Sequence, residues 1–563
     1  MNSFSSHARR FTPFIVLAAL GGALALPAIL YAFPAYTHDG WTHALWLTNF
    51  SEQLRGGGLY PRWLSNLNGG LGSPAFYFYP PIPYYLTSLL SPLFGRDEQG
   101  WGRLGLAASF ALIGSGWFAY LWLKQIAARR AAFAAAALYV AAPYHTIVDL
   151  YIRGAFAELF AFVWAPLVFY FAHRIHPDRR GDRRAAVGLA VAYALLIASH
   201  LPTAMIMSPL PIVYVYFTAK PEGRKRGALL AFSALALGAG LSAIYLLPAV
   251  TMRELVSMQE LKKPGLYFEE WFLGLASFSR GLRAYLAWNV AGSLAVAFCA
   301  FLVSGADPGE SARRERAFWT GAALASVFAM TPLSYPVWRA LPLLQNIQFP
   351  FRFNTILALA ASALVALSIR SMNKSSAKVR VCRAVAALVA LSWLIGAPAF
   401  AWREYRAHRQ FGAPHSQLVA NNADAPEYRP RWVDRDRFIS QADKTDAARG
   451  GVDGVVDAEN PGAASIEVWG EGKIVLNVRG EAGATVDVRQ YYFPSWQARD
   501  VTTGDGLSAQ AAPVSGLLRI LAPGGTHRIE LKVVPTLWER LGQALSAISL
   551  AILVAVFFVP RRI

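Results

Sequence analysis

KPEGRKRGALLAFSALALGAGLSAIYLLPAV, residues 220–250, is a knot of cations followed by an apolar run that carries no charge. The run exceeds the roughly 20 residues needed to cross the hydrocarbon core of a bilayer as a helix. A helix is the form to expect, because backbone groups in lipid must be satisfied within the segment. The cations Lys220, Arg224, Lys225 and Arg226 stand at one end, where they fix orientation toward the cytoplasm.

The same unit recurs along all 563 residues. Apolar runs at about 11–33, 103–123, 131–147, 156–173, 185–199, 203–219, 228–250, 286–304, 317–333, 353–370, 384–402 and 537–559 predict about twelve transmembrane helices. With the N-terminus inside, the inner loops carry Arg9–Arg10, Lys124/Arg129/Arg130 and Arg174/Arg179/Arg180/Arg183/Arg184. Next come Lys220/Arg224/Lys225/Arg226, Arg313/Arg314/Arg316 and Arg370/Lys374/Lys378/Arg380/Arg383, and then Arg561 and Arg562. One assignment places every basic cluster in the cytoplasm, with both termini inside. The net charge of +19 is therefore an orientation signal. No basic stripe or nucleic-acid motif accompanies it, which argues against nucleic acid as a partner. The run after Arg10 is long enough to span and no small-residue cleavage site clearly follows, so it reads as a retained first helix. The two cysteines, Cys299 in an apolar run and Cys382 in a basic loop, supply neither a disulfide framework nor a CxxC metal site.

Two outer segments are long. Residues 34–102 contain an amphipathic stretch, THDGWTHALWLTNFSEQL, then a region rich in Gly, Pro and aromatics. Pro80–Phe94 is apolar but short, and reads as an interfacial helix, not a span. Residues 403–536 are more charged, and SIEVWGEGKIVLNVRG, ATVDVRQYYFPSW, GLLRILAP and HRIELKVVP alternate apolar and polar residues between turn formers. These predict half-buried strands in an extracytoplasmic β-sandwich. The expected organisation is a transmembrane domain over 1–402, the β-rich domain over 403–536, and a final helix with a cytoplasmic tail over 537–563.

Ionisable residues gather at outer helix ends, where burial is costly unless it serves a pathway, a ligand or a mutual pair. Asp39, between His38 and Gly40, follows the first span. A carboxylate there is placed to accept a proton from an acceptor hydroxyl, or to N-cap the helix that follows. His43, four residues on, shares its helix face. Asp149 and Arg153 stand at i,i+4 spacing, with Glu158 beyond, either as a salt bridge or as a substrate site. His200 precedes Leu201-Pro202-Thr203 at another outer end, as a ligand or as a satisfied polar residue. Gln348 and Arg352, in QNIQFPFRFN, sit at the mouth of the span beginning near 353. The arginine fork suits a phosphate, and the plainer alternative is snorkelling to the interface. There is no Walker loop, GxGxxG, HExxH or GxSxG in its proper context, so energy for any synthesis must come from an activated substrate.

The run HDGWTHALWLTNFSEQL…YPRWLSNLNGGLGSPAFYFYPPIPYYL resembles the opening of the YfhO-type membrane proteins. It is most similar to the branch labelled 6-pyruvoyl-tetrahydropterin synthase-related. DLYIRGAFAE, SHLPTA, YLLPA and IQFPFRFN are further landmarks in the same order, and YYFPSWQA followed by GLLRILAPGGTHRIELKVVP resembles the outer β-domain. No zinc-histidine pattern for pterin chemistry is visible. The resemblance implies a GT-C-like fold, an acidic catalytic base in the first outer loop and a polyprenyl-phosphate sugar as donor. On this sequence the base is Asp39. Paired acidic residues, frequent in this loop, are missing here, so no metal or other cofactor is assigned.

The expectation is a glycosyltransferase of the bacterial inner membrane, with its active site facing the periplasm and membrane lipids around it. The acceptor would be an envelope glycan, lipid or protein. Arg352, Arg153 or Arg62 would hold the donor phosphate, and His38, His43, Asp149, Glu158, His200 and Gln348 would line the site. The rival is a transporter or flippase of a lipid-linked intermediate, which should show interrupted helices in matching halves; none is evident in the sequence.

Overall fold

A computed structural model describes the chain except for residues 1, 95–99, 176–181, 264, 275–279, 304–308, 370–375, 410–424, 435–454, 458–463, 484 and 559–563. It is mostly helical, with an antiparallel β-domain inserted before the last helix. Among the described residues eight helices are long and apolar enough to cross a membrane, or ten if each of two bent pairs is one span. The predicted spans at 11–33 and 185–199 fall on helices Asn2–Leu24 and Asp182–Ile197. The apolar part of the first, Phe11–Leu24, is short, and the second has 16 residues.

Two predicted straight spans are bent. Pro221–Leu241 and Ala243–Thr251 meet at 78°, and Glu310–Met330 and Pro332–Ala340 meet at 87°. The second bend follows from Pro332, which cannot donate a backbone hydrogen bond and excludes helical geometry at the residue before it. The predicted end of the span at 402 is also exceeded, since helix Ala377–Arg409 continues through the polar WREYRAHR. Of the basic residues used for orientation, Arg179, Arg180, Arg370, Lys374, Arg561 and Arg562 lie outside the described residues.

Depth within the bundle differs sharply between helices. The span Pro350–Ser368 is 94% buried, whereas the last helix, Leu537–Phe558, is 11% buried. The first is a central post and the second a peripheral stave. The Pro80–Phe94 stretch forms a short helix, Ile82–Ser88, and a single turn at Ser91–Leu93, far too short to span.

Among the described residues the β-domain has nine strands: β1 Val455–Asp457, β2 Ala464–Gly470, β3 Lys473–Gly480, β4 Thr485–Tyr491, β5 Trp496–Asp500, β6 Gly506–Leu507, β7 Ala509–Ala511, β8 Leu517–Leu521 and β9 Gly525–Val533. They form two antiparallel sheets, in the orders β1-β4-β8-β7 and β2-β3-β9-β5-β6. Alternation decides which side chains face inward. Ile474, Leu476, Val478, Ile529 and Leu531 of one sheet share a core with Val486, Val488, Leu518 and Ile520 of the other. That core also takes in Trp63, Tyr77 and Phe78 from the first outer segment, so the β-domain packs directly on the loop that carries Asp39.

Candidate active site

The site is built on an irregular turn. Tyr144–Arg153 is a π-helix, wound with i→i+5 bonding, a form that concentrates at functional sites. It ends at Gly154 in left-handed backbone, φ +64°. A side chain there would lie 2.2 Å from Thr37 Oγ1, so only glycine lets the first outer loop rest on the turn. Two backbone bonds then clasp the pieces: the His38 amide donates to Ile152 O at 3.3 Å and the Asp39 amide to Arg153 O at 2.9 Å.

The π-helix delivers its charges inward. Arg153 Nη1 donates to Asp149 Oδ1 at 2.7 Å and to Glu158 Oε2 at 2.8 Å. The predicted i,i+4 salt bridge is thus present, with Glu158 as a second partner. Tyr144 OH donates to Glu158 Oε1 at 2.7 Å. Arg352 Nε stands 3.5 Å and His200 Nε2 3.9 Å from Glu158 Oε2. Asp149, Arg153, Glu158, His200 and Arg352 are all buried. Four side chains from three stretches of chain, Tyr144 and Arg153, His200, and Arg352, thus converge on the Glu158 carboxylate. Charge that is buried this deeply is costly unless it is paired, and here two arginines stand beside two acids, with Asp149 Oδ2 and Arg352 Nε left without a hydrogen-bond partner. Phe349 covers the cluster, its ring centroid 5.7 Å from Arg153 Cζ and 4.9 Å from Arg352 Cζ.

Asp39 lies at the exposed rim of this cluster. It occupies the N-cap position of helix Gly40–Arg55, yet its side chain makes no capping hydrogen bond. Its charge is within electrostatic reach of both Arg153 and Arg352. His38 is exposed beside it, and its pKa is lowered mainly by desolvation. His43 departs from the expectation of a shared face with Asp39. It is buried, its Nδ1 shares a 2.6 Å hydrogen bond with Tyr84 OH, and Trp46, Tyr79 and Phe156 surround it. Burial pushes its pKa down to about 4, so the ring is neutral at physiological pH.

Gln348 is half-buried with φ +63°, a costly conformation for a residue with a side chain. The strain turns the preceding carbonyl, Ile347 O, onto Arg352 Nη1 at 2.5 Å. Arg62 goes elsewhere. Its Nε pairs with Glu539 Oε1 at 3.0 Å and its Nη2 donates to Ile244 O at 2.6 Å, joining the first outer segment to the start of the last helix. Its first partner is therefore a carboxylate of the fold itself.

Sequence reasoning missed Tyr144 and Asn289, and it noted Asn354 only as the last residue of QNIQFPFRFN. Asn289 Oδ1 accepts from the Tyr144 amide at 3.2 Å, and its Nδ2 donates to Asn354 Oδ1 at 2.8 Å. Asn354 Nδ2 donates in turn to Phe351 O at 2.7 Å. This amide chain fixes the start of the π-helix to the Arg352 turn. The available signal was a lone asparagine inside the apolar run after residue 286. Among the described residues no group of three or more His, Cys, Asp or Glu could hold a metal ion.

A family model described as the 6-pyruvoyl-tetrahydropterin synthase related domain, a membrane protein, matches residues 76–403. The chain belongs to this family. The matched region of this PTPS-related protein contains the π-helix, Glu158, His200 and Arg352, and it begins after Asp39. No curated protein matches the sequence. Among solved structures, the PTPS-related chain is similar to the arabinofuranosyltransferase AftD from Mycobacteria at 22% identity and a TM-score of 0.43, over 70% of this chain and 27% of that one. It is similar to the Archaeoglobus fulgidus oligosaccharyltransferase at 12% identity and a TM-score of 0.46, over 70% of this chain and 55% of that one. ArnT from Cupriavidus metallidurans, bound to undecaprenyl phosphate, is similar at 15% identity and a TM-score of 0.42, over 72% and 79%. The PTPS-related chain thus spans about a quarter of the length of AftD and about half that of the oligosaccharyltransferase.

Proposed function

We propose that this PTPS-related protein is a GT-C-type glycosyltransferase that moves a sugar from a polyprenyl phosphate to an acceptor hydroxyl at the outer membrane surface. The observation that carries the reading is the position of Asp39. Its carboxylate is exposed and leaves the helix it heads uncapped, while its backbone is clasped to Arg153. An uncommitted base thus stands beside a buried pair of arginines. The donor class is the one implied by the resemblance of the first outer segment.

In the proposed step, Asp39 takes the proton from the acceptor hydroxyl as its oxygen bonds to the anomeric carbon. The bond from that carbon to phosphate oxygen breaks, and its electron pair leaves with the polyprenyl phosphate. Arg352 stabilises that charge, with Arg153 behind it. Glu158, between the two guanidinium groups, holds them in register. It also offsets part of their charge before a phosphate arrives. Preorganised charge of this kind needs little reorganisation during reaction.

Asp39→Asn tests the reading. The substitution keeps size but removes the base, and a general base contributes on the order of 10²–10⁴-fold. Release of polyprenyl phosphate from polyprenyl-phosphate sugars should fall in that range, with donor binding unchanged. Near-normal turnover would reject the assignment, because Asn cannot accept the proton.

A further inference from the structure

Away from the candidate active site, a groove of about 900 Å³ opens on the flank of the bundle. It lies at the upper end of the roughly 300–1,000 Å³ that ligand cavities occupy. Its walls come from three places: Ala186 and Val187, the bent pair from Leu230 to Val250, and the last helix. The last helix contributes Leu545, Ser549, Ile552 and Val556, a single stripe at helical spacing.

Small residues explain why the groove exists. At Gly542 a side chain would lie 2.5 Å from Ala243 O, and at Gly240 one would lie 2.3 Å from Ser549 Oγ. Ser546 Oγ accepts from the Ile244 amide at 2.8 Å. The last helix therefore touches the bundle closely beside the 78° bend. Beyond this contact, toward Val556, bulkier side chains line the two walls and the space between them is open.

The open end is cationic. Arg184 stands two residues before Ala186, and its guanidinium carbon lies 5.9 Å from the Phe557 ring centroid, next to Val556. Arg226 precedes Leu230 by one helical turn, on the same face of its helix. Both arginines are exposed. They belong to two of the loops whose charge predicts a cytoplasmic location. An apolar trough with Arg184 beside its last-helix wall and Arg226 one helical turn before its Leu230 wall complements an amphiphile with an anionic head. Basic pockets between spans on the cytoplasmic side bind anionic lipid head groups in this way.

We propose that this groove is a binding site for an anionic glycerophospholipid, with acyl chains along the Leu545–Val556 stripe and phosphate between Arg184 and Arg226. The lipid splints the last helix, little buried by protein, against the bent pair. The site shares no residue with the cluster around Glu158 and stands whether or not the glycosyltransferase reading holds.

The test uses the full-length protein, delipidated in mild detergent and supplied with dioleoylphosphatidylglycerol or dioleoylphosphatidylcholine. Bound lipid is read by native mass spectrometry and stability by tryptophan-fluorescence melting. Phosphatidylglycerol should bind roughly tenfold or more tightly than phosphatidylcholine, since each cation near the head group favours an anion, and it alone should raise the melting temperature. Ala236→Trp fills the groove from an exposed position, so it should fold and lose the lipid. Arg184→Gln with Arg226→Gln should keep lipid binding but lose the head-group preference. Equal binding of the two lipids would overturn the proposal. So would retention of phosphatidylglycerol by Ala236→Trp. Displacement of phosphatidylglycerol by equimolar undecaprenyl phosphate would assign the groove to a polyprenyl tail instead, and would also overturn it.

Discussion

Glu158 is fully buried, and two arginines and a tyrosine crowd its two oxygens. Removing its charge leaves both guanidinium groups short of a counter-ion. Loss of one partner from a buried ion pair costs about 3–5 kcal/mol. Glu158→Gln is therefore expected to melt well below the parent, while Asp39→Asn, at the exposed rim, is expected to melt near it; fluorescence melting in one detergent compares the two. His43 adds a pH dependence. Its folded-state pKa is pushed down to about 4 by burial, against about 6.5 when unfolded. Below pH 6.5 the unfolded chain takes up a proton that the folded chain refuses. Stability is thus full above pH 6.5 and declines as pH falls toward 4, by up to about 3 kcal/mol. His43→Gln should flatten this part of the melting-temperature profile; an unchanged slope between pH 6.5 and 4.5 would place the acid sensitivity elsewhere. At this scale the sequence was partly legible. The Asp149–Arg153 pair, with Glu158 beside it, was readable from spacing alone, but the convergence of His200 and Arg352 on it was not, because nothing local relates positions so far apart in the chain. Arg62 shows the same limit from the other side, since its partner Glu539 lies in the last helix.

The decisive element is the π-helix with its terminal glycine. Gly154→Ala imposes two penalties, an unfavourable backbone angle and a collision with Thr37 at 2.2 Å. Gly57 shares the positive angle, φ +92°, but has nothing within 4 Å. Gly57→Ala therefore isolates the backbone term, about 1–2 kcal/mol. Gly154→Ala should cost more than that and also abolish turnover, because the loop bearing Asp39 can no longer seat on Arg153. Equal melting temperatures and equal activities for the two variants would show that the close approach is unimportant. Helix positions and strand positions were legible here, since both follow from periodicity and apolar run length. The π-turn and the bend near Ser242 were not, whereas Pro332 marked the other bend. A wide turn leaves the hydrophobic pattern of YHTIVDLYIR almost unchanged, and the break near Ser242 falls within an unbroken apolar run.

Across the whole molecule, the first outer segment is held by distant chain. Gln490 of β4 accepts from Trp63 Nε1 at 2.7 Å and donates to Ser65 O at 3.1 Å and Gly70 O at 2.6 Å. Truncating this side chain strands several buried polar groups at once, each worth about 1–3 kcal/mol. Gln490→Ala should expose the stretch 56–73 to limited proteolysis before the transmembrane core is cut, and simultaneous cleavage of both would contradict the arrangement. The β-domain as a sandwich was legible from its period-2 segments. Its docking on the loop was not, because the polar residue responsible, Gln490, sits in a strand where an exposed glutamine would look equally natural.

That long-range clasp has a consequence for biosynthesis. The residues of the clasp that share a bond are separated by as many as 427 positions. At a translation speed of about 5–20 residues per second, the ribosome needs roughly 20–90 seconds to supply the second half after the first. For that interval the aromatic stretch around Trp63 and Tyr77 is already made but lacks the surface on which it packs. The loop carrying Asp39 is thus synthesised long before it is completed. A nascent chain arrested before β4 would present that stretch uncovered, as a target for proteases and chaperones on its side of the membrane.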